Sequence, residues 1–229
     1  MNQERYTRQT GLPEIGLEGQ EKIRKARVLL VGVGGLGAPI SLYLTGAGIG
    51  HLGIVDDDVV SVSNLHRQVL YAESQVGQPK ALRAAERLRA LNPEVEVTPY
   101  DVRLTAENAE EILKNYDLVV DGCDNYATRY VIDDAARKLG KPYIYGAVCG
   151  FEGQVSVFGV GDSPLHYRDL YPVSPPAPKD KSLVGMTPAI VGSTMAHEVL
   201  KLVCGYGELL SHRIWSINLL TMETFILEF

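Results

Sequence analysis

Apolar positions along this chain form two kinds of pattern, which alternate through its first two thirds. Short unbroken runs, "ARVLLV" (26–31), "HLGIVD" (51–56), "DLVVDG" (117–122) and "PYIYGAV" (142–148), are typical of strands buried on both faces. Between them lie helical patterns. One helix is predicted from about Ala38 to the glycines of "TGAGIG" (45–50), and another opens at Pro79 with Leu82, Ala85, Leu88 and Leu91 on one face. "NPEVEVTPY" (92–100) ends that helix and begins a strand. Thr105 is placed as the N-cap of a helix through "AEEILKNY" (109–116), and "YATRYVIDDAARKLG" (126–140) forms the next. Such alternation predicts a mostly parallel sheet with helices on both sides.

After Gly150 the pattern changes. "GQVSVFGV" (153–160) alternates apolar and polar residues across a short "CGFE" turn, which predicts an antiparallel neighbour. "YPVSPPAPKDKS" (171–182) carries four prolines and is incompatible with regular structure, so residues 168–186 are expected to form a long, mobile crossing loop. A helix from Thr187 to about Val203 and strands "RIWSINL" (213–219) and "TFILEF" (224–229) complete the chain. The fold class is therefore α/β: a Rossmann-like doubly wound sheet, parallel in its first half and antiparallel in its C-terminal third. Residues 1–229 are read as one nucleotide-binding domain.

Composition narrows the partners. A length of 229 residues with 45% hydrophobic content suits one well-buried domain. The net charge of −6 argues against nucleic-acid or anionic-membrane binding, because both favour a basic face. No apolar run approaches the roughly 20 residues of a membrane span. The polar start "MNQERYTRQTG" is not read as a secretory signal. Cys123, Cys149 and Cys204 are too few and too scattered for a disulfide framework, so a cytoplasmic setting is expected. Cys149 and Cys204 follow apolar stretches and are read as small core residues. The Cys123 thiol, beside two carboxylates, should resist ionisation.

The candidate chemistry lies in "VLLVGVGGLGAP" (28–39). Gly32, Gly34 and Gly37 form a G-x-G-x-x-G between strand and helix, where backbone N–H groups and the helix N-terminus receive phosphate. Asp56 ends the second strand, in position to accept ribose hydroxyls. This alone fits NAD or FAD. A dinucleotide pyrophosphate carries about two negative charges and a triphosphate about four, which calls for added cations or a metal. Asn64, Arg67 and Gln68 follow the second strand, Lys80 opens the next helix, and Asp121 and Asp124 follow the fourth strand. Singly, Arg67 and Lys80 read as surface charges and Asp124 as a helix cap. Their delivery to one sheet edge favours ATP with Mg²⁺.

"RYTRQ" (5–9), "GVGGLG" (32–37), "VDDDVVSVSNLHRQ" (55–68), "VGQPKA" (76–81), "DGCDN" (121–125) and "EGQVSVF" (152–158) stand in order and together resemble the ThiF/MoeB/HesA family, relatives of the ubiquitin-activating enzymes. The resemblance implies ATP-dependent adenylation of the C-terminal glycine carboxylate of a small ubiquitin-fold sulfur carrier, with release of pyrophosphate. It implies that Gly34 and Gly35 sit at the phosphates, Asp56 at the ribose, Asn64, Arg67 and Lys80 at the phosphates, and Asp124 on Mg²⁺. It also implies a homodimer in which Arg8 reaches the neighbouring subunit's site. A thiamine-pathway carrier is preferred to a molybdopterin-pathway one, though no residue decides between them.

Two departures from the family pattern change the expectation. Many relatives hold a structural zinc between two C-x-x-C pairs. Here the first location reads "LHYRDL" (165–170), with His166 and Asp169, and the C-terminal region has no cysteine, so no structural zinc is expected. Some relatives carry a crossing-loop cysteine that links to the carrier; this loop has none, and Ser182, which lies close, is a far weaker nucleophile. The expected function therefore ends at the acyl-adenylate. The alternatives are adenylation of a non-protein carboxylate, an NAD-dependent oxidoreductase, and a non-catalytic scaffold on the same fold.

Overall fold

A computed structural model describes residues 3–176 and 182–229. Its centre is an eight-stranded sheet of order β3-β2-β1-β4-β5-β6-β7-β8. The strands are β1 (Arg27–Val31), β2 (His51–Val55), β3 (Glu96–Tyr100), β4 (Leu118–Asp121), β5 (Tyr143–Cys149), β6 (Glu152–Phe158), β7 (Arg213–Asn218) and β8 (Glu223–Glu228). β1 to β5 pair in parallel, and β5 through β8 pair antiparallel, as the two-part pattern predicts. β1, β2 and β4 are almost wholly buried, which explains their unbroken apolar runs. β3 tolerates Pro99 because it is an edge strand.

Helices α1 (Gln3–Thr10), α2 (Gly16–Lys25), α3 (Gly37–Ala47), α4 (Lys80–Leu91), α5 (Ala109–Leu113), α6 (Tyr126–Leu139), α7 (Tyr167–Leu170) and α8 (Met186–Cys204) surround it. One core layer holds Ile40 and Leu44 of α3, Ala84 and Leu88 of α4, and Val191 and Met195 of α8 against the sheet. The other packs Ile112 of α5, Ile132 of α6 and Tyr167 of α7 against β4 to β6. The chain thus winds outward from β1 to β3 and then returns to β4 on the other side. β1 and β4 are neighbours, with Val31 paired to Asp121, so the switch point lies between their C-terminal ends. Open α/β sheets bind ligands there.

Several local expectations are corrected. The α4 face that turns inward holds Ala81, Ala84, Ala85 and Leu88, while Leu82 is exposed. Small alanines let α4 lie close to the sheet, and this outweighs the bulk of Leu82. Thr105 does not cap a helix: α5 begins at Ala109, and the Asn108 side chain accepts from the Thr105 N–H. α1 and α2 carry too few apolar residues for their periodicity to stand out; Ile23 is the one large apolar residue of α2 that is buried. Within the stretch 168–186, Arg168 to Leu170 belong to α7 and Met186 to α8. Residues 177–181 of the predicted crossing loop lie outside the described residues. No helix among the described residues is long and apolar enough to cross a membrane.

Candidate active site

The glycines earn their places at the switch point by close approach. A Cβ on Gly37 would lie 2.1 Å from the Gly32 carbonyl oxygen, and one on Gly122 would lie 2.3 Å from the same atom. The β1–α3 turn and the end of β4 therefore nest against each other only without side chains. Gly32 also has φ +88°, a left-handed conformation that favours glycine. The consequence is a row of backbone groups at the N-terminus of α3, which has no side-chain cap.

One cavity of about 1310 Å³ opens beside this turn, and Gly34, Gly35, Asp56, Asn64, Arg67, Lys80 and Asp124 all line it. Seven of the eight predicted site residues are thus brought together; Arg8 is not among the lining residues. Arg8 sits exposed on α1. α1 is held at the opposite end of the sheet, where Tyr6 lies against Gly48 and hydrogen-bonds Glu94, just before β2 and β3 begin. A five-residue strand separates the two ends by about 16 Å.

The carboxylate of Asp56 accepts from the Val33 N–H at 2.8 Å and the Asp58 N–H at 2.9 Å. Burial pushes its pKa above the usual carboxylate range, opposed by the Val33 hydrogen bond and the charge of Lys80. Lys80 is 5% exposed, and its ammonium donates to Asp58 at 2.8 Å. Asn64 ends a short 3₁₀ turn, and its carbonyl accepts from the N–H groups of Arg67 and Gln68. The stem of Arg67 covers Gly35, where an added Cβ would meet its Cδ at 3.4 Å. Asp124 is exposed at the cavity wall. The cap of α6 is its neighbour Asn125, whose side chain accepts from Thr128 N–H at 2.9 Å, so Asp124 does not serve as that cap.

These groups fit a polyanionic nucleotide. A glycine turn with its backbone donors, an arginine, a buried lysine and an exposed aspartate line one cavity. Gln68, 4% exposed, adds a buried Oε1 with no hydrogen-bond partner among the described residues. Among the described residues no group of three or more His, Cys, Asp or Glu side chains is arranged to hold a metal. A single carboxylate is the ordinary protein contribution to Mg²⁺ bound largely by substrate phosphates.

Sequence reasoning missed Arg129. Its guanidinium lines the cavity and donates to Asp121 at 3.1 Å and to the Cys123 and Gly146 carbonyls at 3.4 and 3.3 Å. Burial is the largest single influence and would lower its pKa, but Asp121, Cys123, Tyr145 and Tyr143 together outweigh it and keep the group well above its ordinary value. The Tyr126 and Tyr145 rings flank it. Asp121 and Arg129 are eight residues apart across a strand–helix turn, a spacing with no sequence signal.

The cysteines divide differently from expectation. Cys204 is buried, and burial pushes the buried Cys123 thiol well above its usual pKa, with Asp121 adding to the effect. Cys149 is exposed and lines the cavity, because β5 runs past the edge of the core before its turn. Ellman's reagent is therefore expected to titrate one thiol rapidly in the folded protein and three after unfolding. A Cys149→Ser variant that kept the fast phase would contradict this. His166 and Asp169, where many relatives are expected to hold zinc ligands, are engaged locally: Asp169 accepts from the His166 N–H at 2.9 Å and pairs with Arg137.

Comparison with known proteins gives a consistent result. The model of the ThiF family matches residues 6–229. A sulfur carrier protein adenylyltransferase from Thermus thermophilus is 52% identical over 214 residues, covering 90% of this chain and 79% of the relative. A probable adenylyltransferase/sulfurtransferase MoeZ from Mycobacterium tuberculosis is 45% identical over 230 residues, which is 96% of this chain but 58% of the relative. The chain thus spans less than three fifths of that longer protein. Among solved structures, E. coli MccB with ATP shares the fold, with a TM-score of 0.79 and 20% identity over 92% of this chain and 65% of that one.

Proposed function

We propose that this chain, which belongs to the ThiF family, is an ATP-dependent adenylyltransferase that activates the C-terminal glycine carboxylate of a small ubiquitin-fold sulfur carrier. The observation that carries this reading is the gathering of Gly34, Gly35, Asn64, Arg67, Lys80 and Asp124 around one cavity at the sheet's switch point. A nicotinamide dinucleotide would use the glycines but has no need of Lys80 or Asp124.

The substrate carboxylate is already ionised at neutral pH, so the reaction needs alignment and charge stabilisation rather than a general base. The carboxylate oxygen bonds to the α-phosphorus, the bond to the bridging oxygen breaks, and pyrophosphate leaves with the charge that accumulates. Arg67 and Lys80 are assigned to the leaving phosphates, the α3 N-terminus with Gly34 and Gly35 to the phosphate chain, and Asp56 to the ribose. Asp124 is assigned to Mg²⁺, which when bound neutralises phosphate charge.

The shape of the cavity favours a protein tail over a small carboxylate. At about 1310 Å³ it exceeds the roughly 300–1,000 Å³ of a small-molecule site. It runs from the nucleotide residues past Gln154 and Ser216 to Phe225 on the exposed edge strand β8, and along Leu183. ATP–pyrophosphate exchange tests the reading. It is expected to require a thiamine-type or molybdopterin-type carrier ending in glycine, and to stop on chelation of Mg²⁺. Exchange driven by a free small carboxylate instead would favour the alternative substrate class.

The position of Arg8 supports a homodimer in which it completes the partner's site. It lies too far from its own cavity to enter while α1 stays packed. Arg8→Ala and Lys80→Ala subunits, each inactive alone, are expected to recover about a quarter of wild-type exchange when mixed and allowed to re-pair, because half the dimers then hold one intact site. Mixtures no more active than their parents would exclude the exchange of Arg8 between subunits.

A further inference from the structure

Lys80 stands in an unfavourable place for a cation. It is the first residue of α4, where the helix presents its positive end, and the N-cap is Pro79 with no capping side chain. It is also buried, on a flexible four-carbon stem. Left to itself, an ammonium there would swing outward to water. One residue opposes this at both ends of the lysine. The Asp58 carbonyl accepts from the Lys80 backbone N–H at 2.9 Å, and the Asp58 carboxylate accepts from its Nζ at 2.8 Å. The other two ammonium N–H groups have no protein partner among the described residues, and Lys80 lines the cavity.

Asp58 is itself tied to the nucleotide-facing turn. Its N–H donates to Asp56, whose other oxygen accepts from Val33 in the glycine turn. On the far side, the buried Tyr71 hydroxyl lies 2.9 Å from the Val33 carbonyl and 3.4 Å from that of Lys80, both acceptors for its proton. Glycine turn, Asp56 and Lys80 are thereby linked through Asp58 and Tyr71 into one hydrogen-bonded unit.

We propose that Asp58 is a positioning residue for adenylation: it holds the Lys80 ammonium in place and aimed at the nucleotide phosphates. The inference rests on the reading of Lys80 given above. Asp58 acts through Lys80, and its exposed side chain leaves it little part in the core, since its relative exposure is 70%.

Calorimetric titration with MgATP tests this in the full chain. Asp58→Asn is expected to weaken binding by about tenfold, the worth of one charge-assisted hydrogen bond. Asp58→Glu, which keeps the carboxylate, should recover most of that loss. In a Lys80→Ala background the same Asp58→Asn change should have less than about a twofold effect, because the residue it acts through is gone. A role in folding alone would lower the melting temperature and leave the affinity of the folded protein unchanged. The proposal is overturned if Asp58→Asn binds MgATP like wild type, if the Glu variant is as weak as the Asn variant, or if the loss is undiminished without Lys80. Failure of the wild-type chain to bind MgATP would instead overturn the adenylyltransferase reading.

Discussion

Replacing Asp124 with alanine is expected to lower carrier-dependent ATP–pyrophosphate exchange by about 100- to 1000-fold, the scale on which loss of one charge-stabilising element slows such reactions. The same variant should fold normally. Asp124 is exposed, and the cap of α6 that its position suggests belongs to Asn125. Its replacement should change stability by no more than about 0.5 kcal/mol. The turn that places it is fixed independently, by the close fit of Gly122 on Gly32 and by the Cys123 N–H bonded to Asp121. Activity and stability are therefore predicted to separate. Thermal melting beside the exchange assay checks both halves, and a folded variant with near-normal exchange would remove Asp124 from the site.

The positions that were legible in advance share a physical trait: the topology delivers each of them to a strand end. β1, β2 and β4 show as unbroken apolar runs because both faces are covered, and whatever follows such a run arrives at one edge of a parallel sheet. Asp56, Asn64, Arg67, Lys80 and Asp124 could be placed in this way. What could not be read depends on packing between elements. Leu82 yields the inner face to alanines because α4 lies close to the sheet, and Cys149 escapes the core because β5 outruns it. Asp58 is one of three consecutive acids in the sequence, and its pairing with Lys80 exists only once β2 and α4 meet. Arg129 is the plainest case, since a single helical arginine carries no mark of the buried carboxylate it will face.

That buried pair gives the largest expected effect on stability. Asp121 is fully buried, and its carboxylate takes hydrogen bonds from Arg129, from the Tyr143 hydroxyl at 3.0 Å and from the Cys123 N–H at 2.9 Å. Asp121→Ala leaves the buried Arg129 charge at the cavity wall with only carbonyls and aromatic faces as protein partners. Breaking a buried pair from one side costs about 3–5 kcal/mol, a large fraction of the roughly 5–15 kcal/mol that holds a domain together. The melting temperature should fall by about 6–20 °C. An exposed pair provides the contrast: Arg168 and Asp134 approach more closely, at 2.6 Å, but both side chains face water. Asp134→Ala should cost no more than about 1 kcal/mol, because solvent screens the pair and replaces what is lost. If energy followed distance, the exposed pair would dominate; if it follows burial, Asp121 will. Equal losses for the two variants, measured by denaturant unfolding, would mean that the Arg129 guanidinium finds water when its partner is removed and that the crevice wall is looser than its packing shows.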